Sequence, residues 1–443
     1  MKNRLTDSSF KKIMHNFLPL ENSRKIAIAV SGGADSMSLA ILLNIWCKNH
    51  NIPFVALTID HGLRIESRDE AKFVNSELKK RNIEHHTISN ETPIPSSNLQ
   101  ENARRIRYQL LTNWCKNNDI SHLATAHHLD DYVETFLMRL ERGSGVDGLS
   151  SIADKAIIND LFIIRPLLSF PKSEIIEYLN SQKQKWIEDP SNQKMDFKRN
   201  RIRKALGDDL GDDLFIKRMA SVANNMARAR QAIETQTNHV INQFVKINQA
   251  GFCTIDCSIF SEEDEIILRL LSSVLRFIGG KEKSPRFEKL MTLFNTLKNN
   301  NKYEVTLSGC EITKLNNRIN IFREVSDIQR DIKFKNNNNI NWDNRFLAKT
   351  NLFNKFNIYL GALGQTGFSQ IKSEYKRGKN TALPTKILYT FPAFKEIDNQ
   401  GVENIIYVPH INYCNSDFDK NDFICDFKPL KPLATKSFGF YNK

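Results

Sequence analysis

The sequence predicts an α/β protein: an N-terminal domain on a parallel sheet, a helical middle domain and a small α+β C-terminal domain. Three observations carry that expectation. Short β-branched runs alternate strictly with longer helical patterns from Lys25 to about Arg142. A glycine-rich turn joins the first run directly to the first helix, and asparagine-rich stretches interrupt the C-terminal half of the chain. KIAIAV (25–30), FVALTI (54–59), EHHTIS (84–89) and SHLATA (121–126) read as strands, with helices near 37–49, 66–81 and 98–118. In the last of these, Ala103, Ile106, Leu110, Leu111 and Trp114 recur at helical spacing and leave Arg104 and Arg107 off the apolar stripe. In such folds ligands sit at the carboxyl ends of the strands.

The 443 residues divide by pattern into 1–215, 216–330 and 331–443, in keeping with a prior of about 150 residues per domain. A long helix from about Asp212 to Phe244 leads into helices around 262–277 and 285–300. YEVTLSGCEITKL and RINIFRE then read as a β-pair turned at Asn316 and Asn317. The four asparagines from Asn336 read as a linker or exposed loop. The tail mixes GALGQTGFSQ, the basic KSEYKRGK and strand-like ILYTF and NIIYVP.

Composition narrows the function. With 40% hydrophobic and 9% aromatic residues the chain reads as globular. Its most apolar stretches, such as Ile26–Val30 and Leu161–Ile164, are far shorter than the roughly 20 residues of a membrane span. MKNRLTDSSFKKIMHNF lacks the apolar core of a secretory signal, so a cytoplasmic location with reduced thiols is expected. The seven cysteines contain no C-x-x-C pair, and Cys253 and Cys257 read as buried thiols rather than metal ligands.

The net charge of +13 points to a negatively charged partner. It is unevenly spread: residues 1–190 carry 24 basic and 23 acidic groups, 191–230 carry 10 and 5, and 331–443 carry 16 and 10. Lys198, Arg199, Arg201 and Arg203 in the first basic block, and Lys376 and Arg377 in the second, are the candidate grip on a phosphate backbone. The first block alone also reads as a solvated helix face.

The strongest motif is SGGADS, Ser31–Ser36, between a strand and a helix. Gly32 and Gly33 let the backbone approach an anion, the helix offers free N–H groups and its positive dipole end, and Ser31 and Ser36 add hydroxyls. A phosphate group fits there. No Gly-Lys-Ser/Thr follows, so this is no Walker A loop and it has no lysine of its own. Asp35 would repel phosphates unless a divalent cation lay between, and magnesium is the economical choice. GSGVDG (143–148) follows a helical pattern instead of a strand, which argues against dinucleotide binding and for a loop closing over a substrate. In AHHLDDYVET (126–135), a helix starting near Leu129 would put Asp131, Glu134 and Thr135 on one face with His127 leading in. Acids in a first helical turn also suit the helix dipole by themselves.

SGGADS resembles the pyrophosphate-loop (PP-loop) signature of the N-type ATP pyrophosphatases, which carry an adenine-nucleotide α-hydrolase-like (HUP) fold. With DHGLR (60–64), ENARRIRY (101–108), AHHLDDYVET, RGSGVDGL (142–149), RPLL (165–168), EDPSN and RNRIR (188–203), the chain resembles the bacterial tRNA(Ile)-lysidine synthetase family. These motifs span about half the chain in the family's order; the tail resembles the family's tRNA-contacting domains only loosely. The resemblance implies that ATP adenylates O2 of the wobble cytidine in an isoleucine tRNA with a CAU anticodon. L-lysine then attacks C2, giving lysidine, AMP and pyrophosphate. It further implies that Ser31, Gly32, Gly33, Ala34, Asp35 and Ser36 hold ATP, and that Asp35, Arg107, His127 and Asp131 are catalytic. His128, Arg104 and Arg105 are alternative registers for two of those roles. Lysine recognition falls to Asp131 and Glu134, with Asp131, His127 or Glu134 as proton acceptor. Homodimerisation is left open. The neighbouring expectation, a tRNA thiolase using the same loop, often needs a C-x-x-C pair that this chain lacks.

Overall fold

The structure, a computed structural model, describes residues 4–17, 25–60, 66–90, 99–159, 161–188, 202, 213–315, 317–335, 339–352, 356–378, 383–398 and 401–434. It forms two compact units, Met1–Ala232 and Ile233–Lys436.

The first unit is built on a six-stranded sheet ordered β3-β2-β1-β4-β6-β5, with β1 (Ile26–Ala29), β2 (Phe54–Asp60), β3 (Glu84–Ser89), β4 (His122–Ala124), β5 (Lys155–Ile158) and β6 (Leu161–Ile164). All pairs are parallel except β5 with β6. Burial on both faces explains why β1 and β2 read as continuous apolar runs, whereas the edge strand β3 is largely exposed. Ile26, Ile28, Ala56, Ala124 and Ile164 enter one core, whereas Ala27, Val55, Leu57, Leu123 and Ile163 alternate into the other. The first core is covered by α1 (Asp7–Met14), α2 (Ala34–Asn49), α3 (Glu66–Lys80) and the later helix Lys172–Ser181; the second by α4 (Leu99–Asn117).

The remaining helices here are α5 (Leu129–Leu140), the single turn α6 (Val146–Leu149) and α7 (Lys172–Ser181). The expected strands and helices agree with the structure to within a few residues. The antiparallel β5–β6 pair was not expected, because its four-residue strands are too short to show a period. Strand order reverses in chain sense at β1, whose neighbours are β2 and β4. That is the switch point at which an open α/β sheet leaves a crevice.

Helix α8 (Asp213–Phe244) begins in the first unit and ends in the second. In the first, Ala220 and Ala223 pack with Leu129, Tyr132 and Phe136 of α5, and the Tyr132 hydroxyl donates to Asn224 Oδ1 at 2.9 Å.

The second unit holds α9 (Asp264–Gly279) and α10 (Phe287–Asn299) against a five-stranded antiparallel sheet, β7-β8-β11-β10-β9. Its strands are β7 (Val245–Asn248), β8 (Phe252–Asp256), β9 (Tyr303–Leu307), β10 (Cys310–Leu315) and β11 (Arg318–Arg323). The expected β-pair is thus a three-stranded meander, because Ser308 and Gly309 both take positive φ and turn the chain within YEVTLSGCEITKL. The β7–β8 hairpin is an addition to the helical middle region. Two further antiparallel sheets, of five and three strands, complete the tail. ILYTF, expected as a strand, contributes instead to the turn Thr385–Leu388, and the strand starts at Pro392.

Leu179 of α7 is fully buried among side chains of α1, α2 and the sheet. Leu179→Ala should lower the stability of the first unit by about 2–5 kcal/mol, read as an earlier midpoint in urea unfolding of the full chain. An unchanged midpoint would mean that α7 is not anchored there.

Candidate active site

β1 runs into Ser31–Ser36 and β4 runs into Thr125–His128, so both segments lie at the carboxyl edge of the sheet beside the switch point. Gly32 takes φ +87°, and a Cβ there would stand 2.8 Å from Ile187 Cδ1 and 2.9 Å from Val74 Cγ2. Only glycine satisfies both the backbone and the packing. The Ile187 N–H donates to the Gly32 carbonyl at 2.9 Å and clamps the loop from outside.

Ser36 organises the loop internally. Its hydroxyl donates to the Gly33 carbonyl at 3.0 Å and accepts from the Ser31 N–H at 3.2 Å, and it is 5% exposed. Ser31 is exposed, with its hydroxyl 3.4 Å from that of Ser36. Gly33 precedes α2 with no side-chain cap, so the first amides of that helix face the loop without an internal acceptor.

The chemistry gathers around Asp35. Its Oδ2 lies 3.6 Å from His128 Nε2 and 3.8 Å from Lys172 Nζ, while its Oδ1 is buried with no hydrogen-bond partner among the described residues. His128 is 1% exposed and also sits 3.5 Å from Asp131 Oδ2 and, through Nδ1, 3.4 Å from Asp130 Oδ2. Burial pushes the imidazole towards neutrality, but the surrounding carboxylates of Asp131, Asp130 and Asp35 outweigh it and raise its pKa. For Asp130, burial opposes ionisation and the contacts with His128 and the Lys172 amide overcome it, holding its carboxyl below the usual range.

Backbone contacts hold these groups in register. Asp131 Oδ2 accepts the His128 N–H at 3.2 Å, Asp130 Oδ2 accepts the Lys172 N–H at 2.9 Å, and the Leu129 N–H donates to the Phe170 carbonyl at 2.9 Å. The start of α5 and the start of α7 are therefore stitched together beside the start of α2.

Of the residues singled out in the sequence, Asp35 and Asp131 meet around one imidazole, and Glu134 follows on α5 at 2% exposure. His127 is half-buried beside the cluster, its Nδ1 3.1 Å from the Thr125 hydroxyl. Arg107 is exposed on α4, and Arg104 on the same helix lies over the Tyr108 ring at 5.2 Å. GSGVDG is pinned: Arg139 Nη1 donates to the Gly148 and Ser151 carbonyls at 2.9 and 2.8 Å, and Arg230 Nη1 to the Ser150 hydroxyl at 3.1 Å. Lys198, Arg199, Arg201 and Arg203 lie outside the described residues. Lys376 and Arg377 fall on the helix Gly364–Gly378, but their side chains are likewise outside the description.

Sequence reasoning missed His128 as the hub, Asp130 and Lys172. The only signal for Lys172 was Pro171, which fits a helix start just past the β6 edge.

A PP-loop domain model matches residues 3–210. The chain is similar to the tRNA(Ile)-lysidine synthase of Wolbachia sp. subsp. Brugia malayi (strain TRS), 41% identical over 345 residues, which is 77% of this chain and 80% of the relative. It is 34% identical to the tRNA(Ile)-lysidine synthase of Rickettsia bellii (strain RML369-C) over 432 residues, covering 95% of this chain and 97% of the other. Among solved structures, the U34-tRNA thiolase NcsA from Methanococcus maripaludis aligns at a TM-score of 0.41 and 20% identity, over 50% of this chain and 78% of its own.

The raised pKa of His128 has a consequence for stability. A group whose folded pKa lies above its unfolded value, near 6.5 for histidine, stabilises fully below that unfolded value. The contribution is lost as pH rises through the folded pKa. The gap in unfolding midpoint between the wild type and His128→Gln should therefore narrow as pH rises from about 6. A gap independent of pH would mean that His128 is held neutral.

Proposed function

We infer the function from a plain premise: this chain belongs to the tRNA(Ile)-lysidine synthase family. It is a ligase of tRNA modification that uses ATP and forms lysidine on tRNA(Ile). The finer account is our proposal, and the single observation that supports it best is the meeting of a glycine-rich anion loop and an acidic, histidine-centred cluster at one switch point.

In this proposal the backbone of Ser31, Gly32, Gly33 and Ala34, with the first amides of α2, cradles the pyrophosphate part of ATP, and Ser36 keeps the loop in shape. Asp35 Oδ1, a buried carboxylate oxygen lacking a hydrogen-bond partner among the described residues, is the atom that would hold a magnesium ion. Such an ion would neutralise phosphate charge. Among the described residues, no group of three or more His, Cys, Asp or Glu could hold a metal without such help.

Cutting ATP between its α and β phosphates suits a loop that grips pyrophosphate. O2 of the wobble cytidine, in an anticodon CAU, attacks the α-phosphate and pyrophosphate leaves; Arg107 stabilises the charge that develops there. L-lysine then attacks C2 as a neutral amine and AMP departs, so a nearby group must take a proton. Asp131, His127 or Glu134 takes it, and Asp131 and Glu134 hold the ammonium of the incoming lysine. Residues 1–215 carry the chemistry and, through Lys198, Arg199, Arg201 and Arg203, phosphate contacts; 216–330 and 331–443 carry further tRNA contacts, with Lys376 and Arg377 on phosphates. We place the enzyme in the cytoplasm; among the described residues no helix is long and apolar enough to cross a membrane.

Purified protein should incorporate labelled lysine into an isoleucine tRNA with a CAU anticodon, dependent on ATP and magnesium. Asp35→Ala should lose adenylation by at least about 100-fold while still binding tRNA. Sulfur transfer without lysine incorporation would overturn the reading, and full activity of Asp35→Ala would remove Asp35 from it.

If the basic blocks grip phosphates, tRNA affinity should fall steeply with salt. Neutralising Lys198, Arg199, Arg201 and Arg203 together should flatten the slope of log K against log salt by about 3–4, at roughly 0.7–0.9 per contact. An unchanged slope, in filter binding across a salt series, would make that segment a solvated face.

A further inference from the structure

We propose that Lys172 is the phosphate-binding lysine that the loop itself lacks: it reaches the pyrophosphate of ATP from the start of α7. This rests on the reading that Ser31–Ser36 binds ATP and adds to it a residue from a distant part of the chain.

Lys172 Nζ lies 3.8 Å from Asp35 Oδ2, at the first turn of the helix that follows the loop, although Lys172 comes from the opposite end of the domain sequence. Its backbone is fixed there. Pro171 holds the residue before the helix in an extended conformation, and the Lys172 N–H is bound by Asp130 Oδ2 at 2.9 Å. The adjoining Phe170 carbonyl is held by the Leu129 N–H at 2.9 Å. A residue this well anchored presents its side chain repeatedly to the same place.

Two basic side chains touch Asp35, those of His128 and Lys172. His128 is 1% exposed and wedged between carboxylates, so it cannot turn towards a ligand. The Lys172 side chain is 43% exposed, on a flexible stem, and its contact with Asp35 is long. A loose, solvated ion pair of this kind contributes little and is readily exchanged for a phosphate oxygen, to which an ammonium binds as a point charge. Exchange would leave His128 as the partner of Asp35 Oδ2. The loop supplies backbone donors, and Lys172 supplies the positive charge that SGGADS lacks.

The test uses the full chain without tRNA and two probes, inorganic pyrophosphate and AMP, in calorimetric titrations. Lys172→Gln should bind pyrophosphate about 10- to 100-fold more weakly, the loss expected for one charge-assisted contact, with AMP affinity within about twofold of wild type. Lys172→Arg, which keeps the charge, should recover most of the loss and shows that the site is intact. Wild-type affinity of Lys172→Gln for pyrophosphate would overturn the proposal. So would equal loss for AMP and pyrophosphate, since that is the signature of a lysine that only shapes the pocket, or failure of the wild type to bind pyrophosphate. Selective loss in a protein that makes no lysidine would instead uphold Lys172 and overturn the assigned reaction.

Discussion

The site depends on one constraint: three carboxylates, Asp35, Asp130 and Asp131, must share one buried imidazole at the edge of the Ser31–Ser36 loop. Helices α2, α5 and α7 bring their N-termini to the same place, and acidic residues stand in the first turn of each, Asp35, Asp130 with Asp131, and Glu174. Each acid is favoured by its own helix dipole. Asp35, Asp130 and Asp131 crowd around His128, which is in contact with all three and whose pKa they raise. Removing the imidazole would leave buried carboxylates uncompensated, which costs far more than the contacts themselves contribute.

The loop obeys a steric rule as strict as the electrostatic one. Gly32 faces Ile187 and Val74 at distances no Cβ tolerates, and its carbonyl is occupied by the Ile187 N–H. The loop is thus shaped from outside by a segment that follows α7, while Lys172 at the other end of α7 touches Asp35. One helix thereby couples the conformation of the loop to its charge. Leu179, buried between α7 and the first core, keeps those two effects together.

Much of this was legible in the sequence where physics is local. The central parallel strands β1 and β2 are buried on both faces and appear as apolar runs, and SGGADS sits where a strand meets a helix. Legibility stopped where tertiary contact decides. The β7–β8 hairpin has four and five residues, too few for a period, and its tight turn needs Gly251 at φ +84°. In AHHLDD the helix start near Leu129 was legible, but that His128, its cap, is the ring buried among three carboxylates depends on the packing of α2, α5 and α7. Nothing in the local pattern around Lys172 indicates that α7 would bring it to Asp35.

The distribution of charge follows from the same electrostatics. An enzyme that handles both a nucleotide polyphosphate and an RNA must keep the RNA backbone from competing for the nucleotide loop. A strongly basic catalytic surface would attract both without distinction. Here residues 1–190 are nearly balanced, with 24 basic and 23 acidic groups, while most of the surplus lies in 191–230 and 331–443. Within the balanced part, His128 and Lys172 are each matched to carboxylates. In the proposed reading, long-range attraction falls to segments outside the loop, and the loop would select its anion by short-range geometry: backbone amides, a glycine that admits close approach, and Lys172 within reach.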